Sequence, residues 1–272
     1  MILNRIGLAL RRQDWTTVVL ELLILVIGIL LALQVENWNS DRKEAAEARV
    51  WRAHIIEDLH KNRHDMFGRK NYYLSALKFG ESALAGLEST AEVDAEQAWD
   101  IVLASFQAGQ IWPYRLTGPS YREVQNAGKL ALVADSVTLA ALSYLYDVAA
   151  YDYELISGGL PRYRDMIRER LPWPVQQHIW NANCQATVYV EEYRDHYFEL
   201  TDCDEPALDE LLIAAVYELR SDQELIQALR GRLSQLMVTH AASNRQVERI
   251  EDVLDKLGYL LLLPAPPSTS GD

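Results

Sequence analysis

The sequence lacks the short motifs by which many enzyme active sites are recognised. It contains no Gly-x-Ser-x-Gly nucleophile turn, no phosphate-binding glycine loop, no dinucleotide fingerprint and no zinc-protease helix. Basic residues are also scarce: 26 lysines and arginines stand against 39 aspartates and glutamates, giving a formal charge of −13. This balance disfavours a nucleic-acid partner, since phosphate binding needs a basic face. No cofactor is indicated, and no biochemical activity follows from these patterns.

A long apolar run, by contrast, dominates the N-terminal part of the chain. It extends from Trp15 to Val35 and contains a single carboxylate, Glu21. At ~1.5 Å per residue such a helix reaches about 32 Å, close to the ~30 Å hydrocarbon core of a bilayer. Indole rings prefer the headgroup level, so Trp15 and Trp38 are expected to be membrane-interface anchors. The sequence predicts a transmembrane helix over 15–38.

The charges on either side of the span predict its orientation. Three arginines precede the run, and mixed charges follow it. The positive-inside bias therefore places residues 1–14 in the cytoplasm. A helical extracytoplasmic domain is expected over 39–262, in the periplasm if the span lies in a bacterial inner membrane. The Pro- and Ser-rich residues 263–272 are expected to be a disordered tail.

Two other interpretations of the apolar run are disfavoured. A cleaved signal peptide also has a basic start and an apolar core, but no small-x-small pair suited to cleavage follows the run. A buried core helix of a soluble protein would be apolar on one stripe, whereas this segment is apolar all round. An uncleaved signal anchor is the preferred interpretation.

Glu21 begins a distinctive face of the predicted span. Glu21, Leu25, Gly28 and Ala32 fall at i, i+4, i+7 and i+11, which is one side of a helix. Gly28-x-x-x-Ala32 lets two backbones approach closely, so this face is expected to contact a second copy or another membrane protein. The alternative is that Glu21, which costs at least ~2.5 kcal/mol at depth, snorkels or is protonated.

The chain has two cysteines, Cys184 and Cys203. In an oxidising compartment such a pair commonly forms a disulfide. The intervening segment is rich in β-branched and aromatic residues, which predicts a short β-hairpin stapled at its base. Two free buried thiols are the alternative, and they become preferable if the orientation is inverted.

Helical spacing of apolar residues covers most of the remaining chain. The predicted helices cover residues 41–88, 94–107, 120–127 and 221–257, with further helices opening at Asp135 and Pro206. The helix from Asp135 is expected to bury Leu139, Leu142, Tyr144, Leu145 and Val148. The fold class is therefore mainly α: one transmembrane helix followed by a helical-bundle domain, with room for one short hairpin.

Local signals set the ends of these helices. Ser120 is expected to cap one short helix, and Ser221-Asp-Gln-Glu224 reads as a capping box for the last long helix. Gly128 and Gly258 occupy positions where a left-handed residue ends a helix.

Two segments resemble a bacterial family of unknown function. One is the run from Leu20 that ends in Trp38-Asn39, and the other is Ser120-Tyr-Arg-Glu-Val-Gln-Asn-Ala-Gly128-Lys-Leu-Ala-Leu-Val133. The resemblance implies one N-terminal span ending in Trp-Asn and a helical extracytoplasmic domain. It implies no activity.

Metal-ligating residue types occur together in Glu57-x-x-His60-x-x-x-His64, along one predicted helix face. Glu-x-x-His is the unit of di-iron bundles, which need two such units and two further carboxylates. The nearest second unit, Glu192-x-x-x-His196, has the wrong spacing. A solvated charged face is therefore the simpler interpretation, and Glu57, His60 and His64 are kept only as candidate ligands.

Amphipathic aromatic residues are the remaining signal, with 14 tyrosines and 7 tryptophans against 4 phenylalanines. They suit ligand pockets and protein interfaces, and equally a core whose hydroxyls reach its rim. Four tyrosines cluster near one helix end, and two tryptophans follow later in the chain: Tyr144, Tyr146, Tyr151 and Tyr153, then Trp173 and Trp180. The leading hypothesis is a single-span protein whose helical domain binds a protein or small ligand without catalysis. A structural subunit of a membrane assembly and a membrane-tethered enzyme are the alternatives.

Overall fold

The described part of the protein consists of α-helices and one β-hairpin, which confirms the predicted fold class. The computed structural model describes residues 15–182, 184–190 and 195–258. The predicted N-terminal segment 1–14 and tail 263–272 lie outside this part. The chain divides after Arg52 into two compact units.

Helix α1 runs from Trp15 to Glu88, so the predicted helix over 41–88 continues the apolar run. In the first unit every side chain from 22 to 47 is exposed. This is the one helix in the described residues that is long and apolar enough to cross a membrane, and none of its most apolar window is buried.

The second unit begins at Ala53 and contains the rest of α1 and all later elements. They are α2 (Ala95–Ala108), α3 (Pro119–Asn126), α4 (Leu130–Val133), α5 (Ser136–Ser143), a π-helical turn (Tyr144–Ala149), α6 (Ala150–Ser157), α7 (Arg162–Arg170), α8 (Trp173–Asn181), β1 (Gln185–Val190), β2 (Asp195–Leu200), α9 (Asp209–Ser221) and α10 (Gln223–Lys256).

The main core lies where the end of α1 meets α2, α7, α9 and α10. Its fully buried members include Ala83, Val102, Phe106, Ile167, Leu212, Val216, Leu225 and Leu229. Helix α2 is buried on all sides from Val102 to Ala108. The other helices bury one apolar stripe and expose the opposite face, as amphipathic spacing predicts. On α10 the predicted apolar positions Leu225, Leu229, Leu236, Val247, Ile250 and Leu254 are buried, and Leu233 is half-buried.

Helix ends follow local capping rules, with two corrections. Gly128 and Gly258 have φ of +67° and +74°, as expected for residues that stop a helix. Ser120 does not cap α3, because Pro119 occupies the first turn and Gly118 is the N-cap. The cap of α10 is Asp222 rather than Ser221, and its carboxylate accepts the amide hydrogen of Leu225.

The predicted apolar face after Asp135 is partly wrong. Leu142 and Leu145 are buried as expected, and Tyr146 and Ala149 join them. Tyr144 and Val148 are instead 46% and 44% exposed. They lie two and six residues beyond Leu142, so a helix turns them away from its buried stripe.

The cysteine segment forms the predicted hairpin. Strands β1 and β2 pair antiparallel, with Gln185 opposite Leu200 and Val190 opposite Asp195. Ahead of the hairpin, Pro161 and Pro172 are the N-caps of two short helices, α7 and α8 respectively. These two helices carry side chains that matter for the site, and the sequence interpretation did not anticipate them.

Candidate functional site

The predicted metal ligands do not come together. Glu57 forms an exposed ion pair with Lys61 at 2.9 Å, which lowers the pKa of its carboxyl group. His64 Nε2 lies 3.1 Å from the carbonyl oxygen of His196 on the hairpin. Within the part of the chain that the structure describes, no group of three or more His, Cys, Asp or Glu is arranged to hold a metal. Glu192 lies outside that part.

The predicted contact face of the span is open. Leu25, Gly28 and Ala32 are exposed, and a Cβ added at Gly28 would meet nothing within 4 Å. The side chain of Glu21 lies outside the described part. Because the segment is exposed on every side, exposure does not single out this face, and helix association there stays a prediction.

Of the two tryptophans predicted to be interface anchors, the structure describes the side chain of Trp38 only. Trp38 is exposed, with the guanidinium of Arg42 4.9 Å from its ring centre. The side chain of Trp15 lies outside the described part. The pairing of Trp38 with a cation suits the headgroup level, where apolar and charged groups meet.

The predicted tyrosine cluster is divided between core and surface. Tyr146 is buried and stacks on Tyr121 with ring centres 5.2 Å apart. The hydroxyl of buried Tyr153 lies 3.1 Å from Ser243 Oγ. Tyr144 and Tyr151 are exposed, so the four rings do not line one pocket.

Cys184 and Cys203 are joined in a disulfide at the base of the hairpin. Their carbonyl oxygens are held by helix α2: Gln107 donates to Cys184 at 2.8 Å, and the Trp99 indole donates to Cys203 at 2.9 Å. The hairpin base is thereby fixed against α2.

The C-terminal end of α2 is the most unusual polar region of the domain. The last carbonyl groups of a helix lack partners within it. Here Tyr163 donates its hydroxyl to Ser105 at 2.8 Å, and Arg232 Nε donates to Ala108 at 3.0 Å. Arg164 Nη1 donates to the next carbonyl, that of Gly109, at 3.1 Å. The helix end is thus closed by side chains from α7 and α10.

Two arginines of α7 meet at a single neutral oxygen. Arg164 and Arg168 lie one turn apart on the same helix face. Arg164 Nη1 and Arg168 Nη2 each donate to Gln110 Oε1 at 3.2 Å. Gln110 is only 4% exposed, and its backbone carbonyl accepts a third donor, Arg232 Nη2, at 2.7 Å. We call Gln110, Arg164, Arg168 and Arg232 the arginine cluster.

No described carboxylate contacts the guanidinium groups of the arginine cluster, and Asp165 opposes the fall in the pKa of Arg164 and Arg168 only from a longer distance. Among the described residues, none of the cluster's three guanidinium groups forms an ion pair. Burial lowers the pKa of Arg168 to about 10, with the neighbouring Arg164 as the second cause, and burial lowers that of Arg232 to about 10. Both values remain above neutral pH, so these groups carry their full positive charge.

Aromatic rings support the exposed side of this cluster. The guanidinium carbon of Arg168 lies 5.2 Å from the ring centre of Phe106 and 5.7 Å from that of Trp180 on α8. Beside it a cavity of about 50 Å³ is lined by Gln107, Gln110, Ile179, Trp180, Cys184 and Gln185. The disulfide and the hairpin base therefore form one wall of the space next to Gln110.

A second cavity lies under the hairpin. It measures about 260 Å³ and is lined by Lys61, His64, Asp65, Gly68, Trp112, His196, Tyr197 and Phe198. Arg69 contacts two of the lining residues: its guanidinium lies 4.3 Å from the ring centre of Trp112 and forms a 3.0 Å ion pair with Asp65. The same guanidinium lies 4.1 Å from the ring centre of Tyr114. Here the cation is compensated, unlike those of the arginine cluster.

Sequence reasoning missed the arginine cluster. The spacing of Arg164 and Arg168 was visible, but Gln110 and Arg232 are distant in the chain and belong to a connection and another helix. Trp180 was singled out, though for a general aromatic role. No family model, no curated protein and no solved structure matches this chain. The family resemblance therefore stays a prediction.

Proposed function

We propose that this protein is a single-span inner-membrane protein whose helical domain faces the periplasm and binds a small ligand or protein without catalysing a reaction. The exposed apolar segment of α1 carries the proposal. Contiguous exposed apolar surface of this extent is rare on soluble proteins and marks contact with a membrane or partner. Its length suits a bilayer crossing.

The orientation is supported by two independent features. Arginines precede the span, as is typical of cytoplasmic flanks. Cys184 and Cys203 are bonded in the domain that follows it, and disulfides persist in oxidising compartments such as the periplasm. Both features favour a cytoplasmic N-terminus.

The binding role is supported by the arginine cluster. Half-buried guanidinium groups without a carboxylate partner are costly to desolvate, and they suggest a site that receives a ligand. The neighbouring cavity and the exposed indole of Trp180 leave this region accessible from solvent.

Reporter fusions test anchoring and orientation. Alkaline phosphatase fused after Asp272 should be active, and green fluorescent protein at the same position should be dark. A matched fusion lacking residues 15–38 should give the opposite pattern, because nothing would export the domain. A dark phosphatase with bright fluorescence on the full chain would overturn the orientation.

Native mass spectrometry of the full chain, extracted from its membrane in mild detergent, tests the binding role. A copurifying small molecule or protein should appear as added mass that activation removes. A spectrum that shows only the bare chain at every activation energy would count against a ligand-binding domain.

A further inference from the structure

Helix α7 carries four arginines whose environments differ. Arg162 forms an ion pair with Glu224 on α10, and Arg170 forms one with Asp222, the N-cap of α10. Arg164 and Arg168 instead share the neutral amide oxygen of Gln110. The chain has 39 acidic residues, yet none of the described carboxylates forms an ion pair with Arg164 or Arg168. Asp165, the neighbour of Arg164, acts on both arginines only from a longer distance.

Capping of α2 accounts for only part of this charge. The C-terminal end of a helix presents about half a negative charge. Arg232 alone, through its bonds to the carbonyls of Ala108 and Gln110, compensates that partial charge. Arg164 and Arg168 add two further positive charges, which the helix end cannot balance.

Arg164 and Arg168 have N–H donors that no hydrogen bond in the described structure uses. A guanidinium offers five N–H donors in a planar fork. The hydrogen bonds within the described structure use Nη1 of Arg164 and Nη2 of Arg168. Both side chains are half-exposed and none of their nitrogens is buried without a partner, so the remaining donors are open to solvent and reachable by a ligand.

We infer that Arg164 and Arg168, held by Gln110, bind the oxyanion group of a small ligand, either a carboxylate or a phosphate. This inference rests on the proposed ligand-binding function and specifies its ligand class. Paired guanidinium forks match both groups geometrically. Phe106 and Trp180 hold Arg168 from the side, which reduces the entropy lost when its donors are aligned.

Arg164 and Arg168 are half-exposed, so a ligand can reach them directly from solvent. The cavity of about 50 Å³ adjoins their shared partner Gln110, but its lining includes neither arginine. A free small anion and a phospholipid headgroup share this chemistry, so the test must separate them.

Calorimetric titration of the full chain in neutral detergent provides the test, with inorganic phosphate, succinate and phosphatidylglycerol-doped micelles as probes at constant ionic strength. At least one probe should bind the wild type. Binding of a free anion identifies a soluble source, and binding of the doped micelles alone identifies a headgroup. Arg164→Gln and Arg168→Gln should each weaken binding about ten- to hundredfold, the effect of losing one charge-assisted hydrogen-bonding group.

Two further variants separate binding from folding. Gln110→Glu places a carboxylate between Arg164 and Arg168, so it should abolish binding while the Tm is kept or raised. Arg162→Gln removes a paired arginine from the same helix and should leave affinity unchanged. Failure of the wild type to bind any probe, or equal affinity in Gln110→Glu and wild type, would overturn the inference.

Reporter fusions distinguish failure of this inference from failure of the proposed function. A wild-type chain that is anchored with its domain outside and copurifies with a ligand, but binds no oxyanion, refutes the ligand class alone. A chain that binds oxyanion through Arg164 and Arg168 but is not exported supports the site and refutes the proposed location.

Discussion

Gln107 donates a hydrogen bond from Nε2 to the carbonyl oxygen of Cys184 at 2.8 Å, which ties the end of α2 to the base of the hairpin. Gln107 is 1% exposed, and the two residues are 77 positions apart in sequence. The bond therefore joins two distant parts of the chain and is shielded from water. The backbone amide of Thr201, directly after β2, donates to the same carbonyl at 3.3 Å.

Replacing Gln107 with Leu should lower the free energy of unfolding by about 1–3 kcal/mol, the cost of leaving a buried polar group short of a partner. Urea denaturation followed by circular dichroism measures the change. Gln125→Leu alters an exposed glutamine of α3 and serves as the control. Equal stabilities of the two variants would show that the amide of Thr201 alone satisfies the Cys184 carbonyl.

The disulfide should be detectable by non-reducing peptide mapping of the membrane-extracted protein, with Cys184 joined to Cys203. Removing both cysteines as the double alanine variant should reduce the free energy of unfolding by about 3 kcal/mol, as expected for a loop of this size. Alkylation of both residues without prior reduction would contradict the bond and weaken the case for an oxidising compartment.

Alanine substitution at two glycines with open surroundings should change the stability of the protein in opposite directions. A Cβ at either Gly128 or Gly231 would meet nothing within 4 Å, but Gly128 has φ of +67° and Gly231 lies within α10. Gly128→Ala should destabilise by about 1–2 kcal/mol because an L-residue is strained there. Gly231→Ala should stabilise by about 0.5–1 kcal/mol through helix propensity. Thermal unfolding of both variants checks the sign; destabilisation by Gly231→Ala would contradict the open helical environment.

Local sequence rules predicted the features that depend on neighbours in the chain. Gly128, Gly258, the apolar stripe of α10 and the hairpin between the cysteines all follow from a few consecutive residues. The error at α10 was of the same local kind: Ser221 and Asp222 are adjacent capping residues, and only the backbone geometry decides between them.

The arginine cluster could not be predicted in the same way. Its members lie on a connection, on α7 and on α10, and tertiary packing alone brings Gln110 and Arg232 to Arg164. The candidate metal ligands illustrate the converse case. Glu57, His60 and His64 share a sequence pattern, but Glu57 pairs with Lys61 and His64 contacts the hairpin.

Acid should destabilise the domain partly through His60. Burial, with the charge of Arg63 as a second cause, lowers the pKa of His60 from the value of 6.5 expected in an unfolded chain. The unfolded state therefore binds this proton more tightly. The contribution of His60 to stability is full above pH 6.5 and is lost as the pH falls through its lower folded pKa.

His60→Gln should flatten this part of the pH dependence. The denaturation midpoint of the wild type should lie above that of the variant at pH 8. The difference between the two midpoints should shrink as the pH is lowered to 5. Parallel curves over the whole range would show that His60 does not contribute to acid sensitivity.

Arg232 should behave as a structural cation, in contrast to Arg164 and Arg168. It is 3% exposed, and its three nitrogens donate to the carbonyls of Ala108 and Gln110 and to Gln235 Oε1. Arg232→Met leaves two carbonyls without this donor and should lower the free energy of unfolding by about 2–4 kcal/mol, even after relief of the buried charge.

Arg232→Lys tests whether charge alone suffices. A single ammonium group cannot reproduce the planar fork, so the lysine variant should be nearly as unstable as the methionine variant. Arg164→Gln, at a half-exposed position, should cost less than about 1 kcal/mol, because water replaces the lost donors. Chemical denaturation in neutral detergent ranks the three variants. A stable Arg232→Met with an unstable Arg164→Gln would show that Arg164, through its bond to the Gly109 carbonyl, contributes more than Arg232 to closing the end of α2.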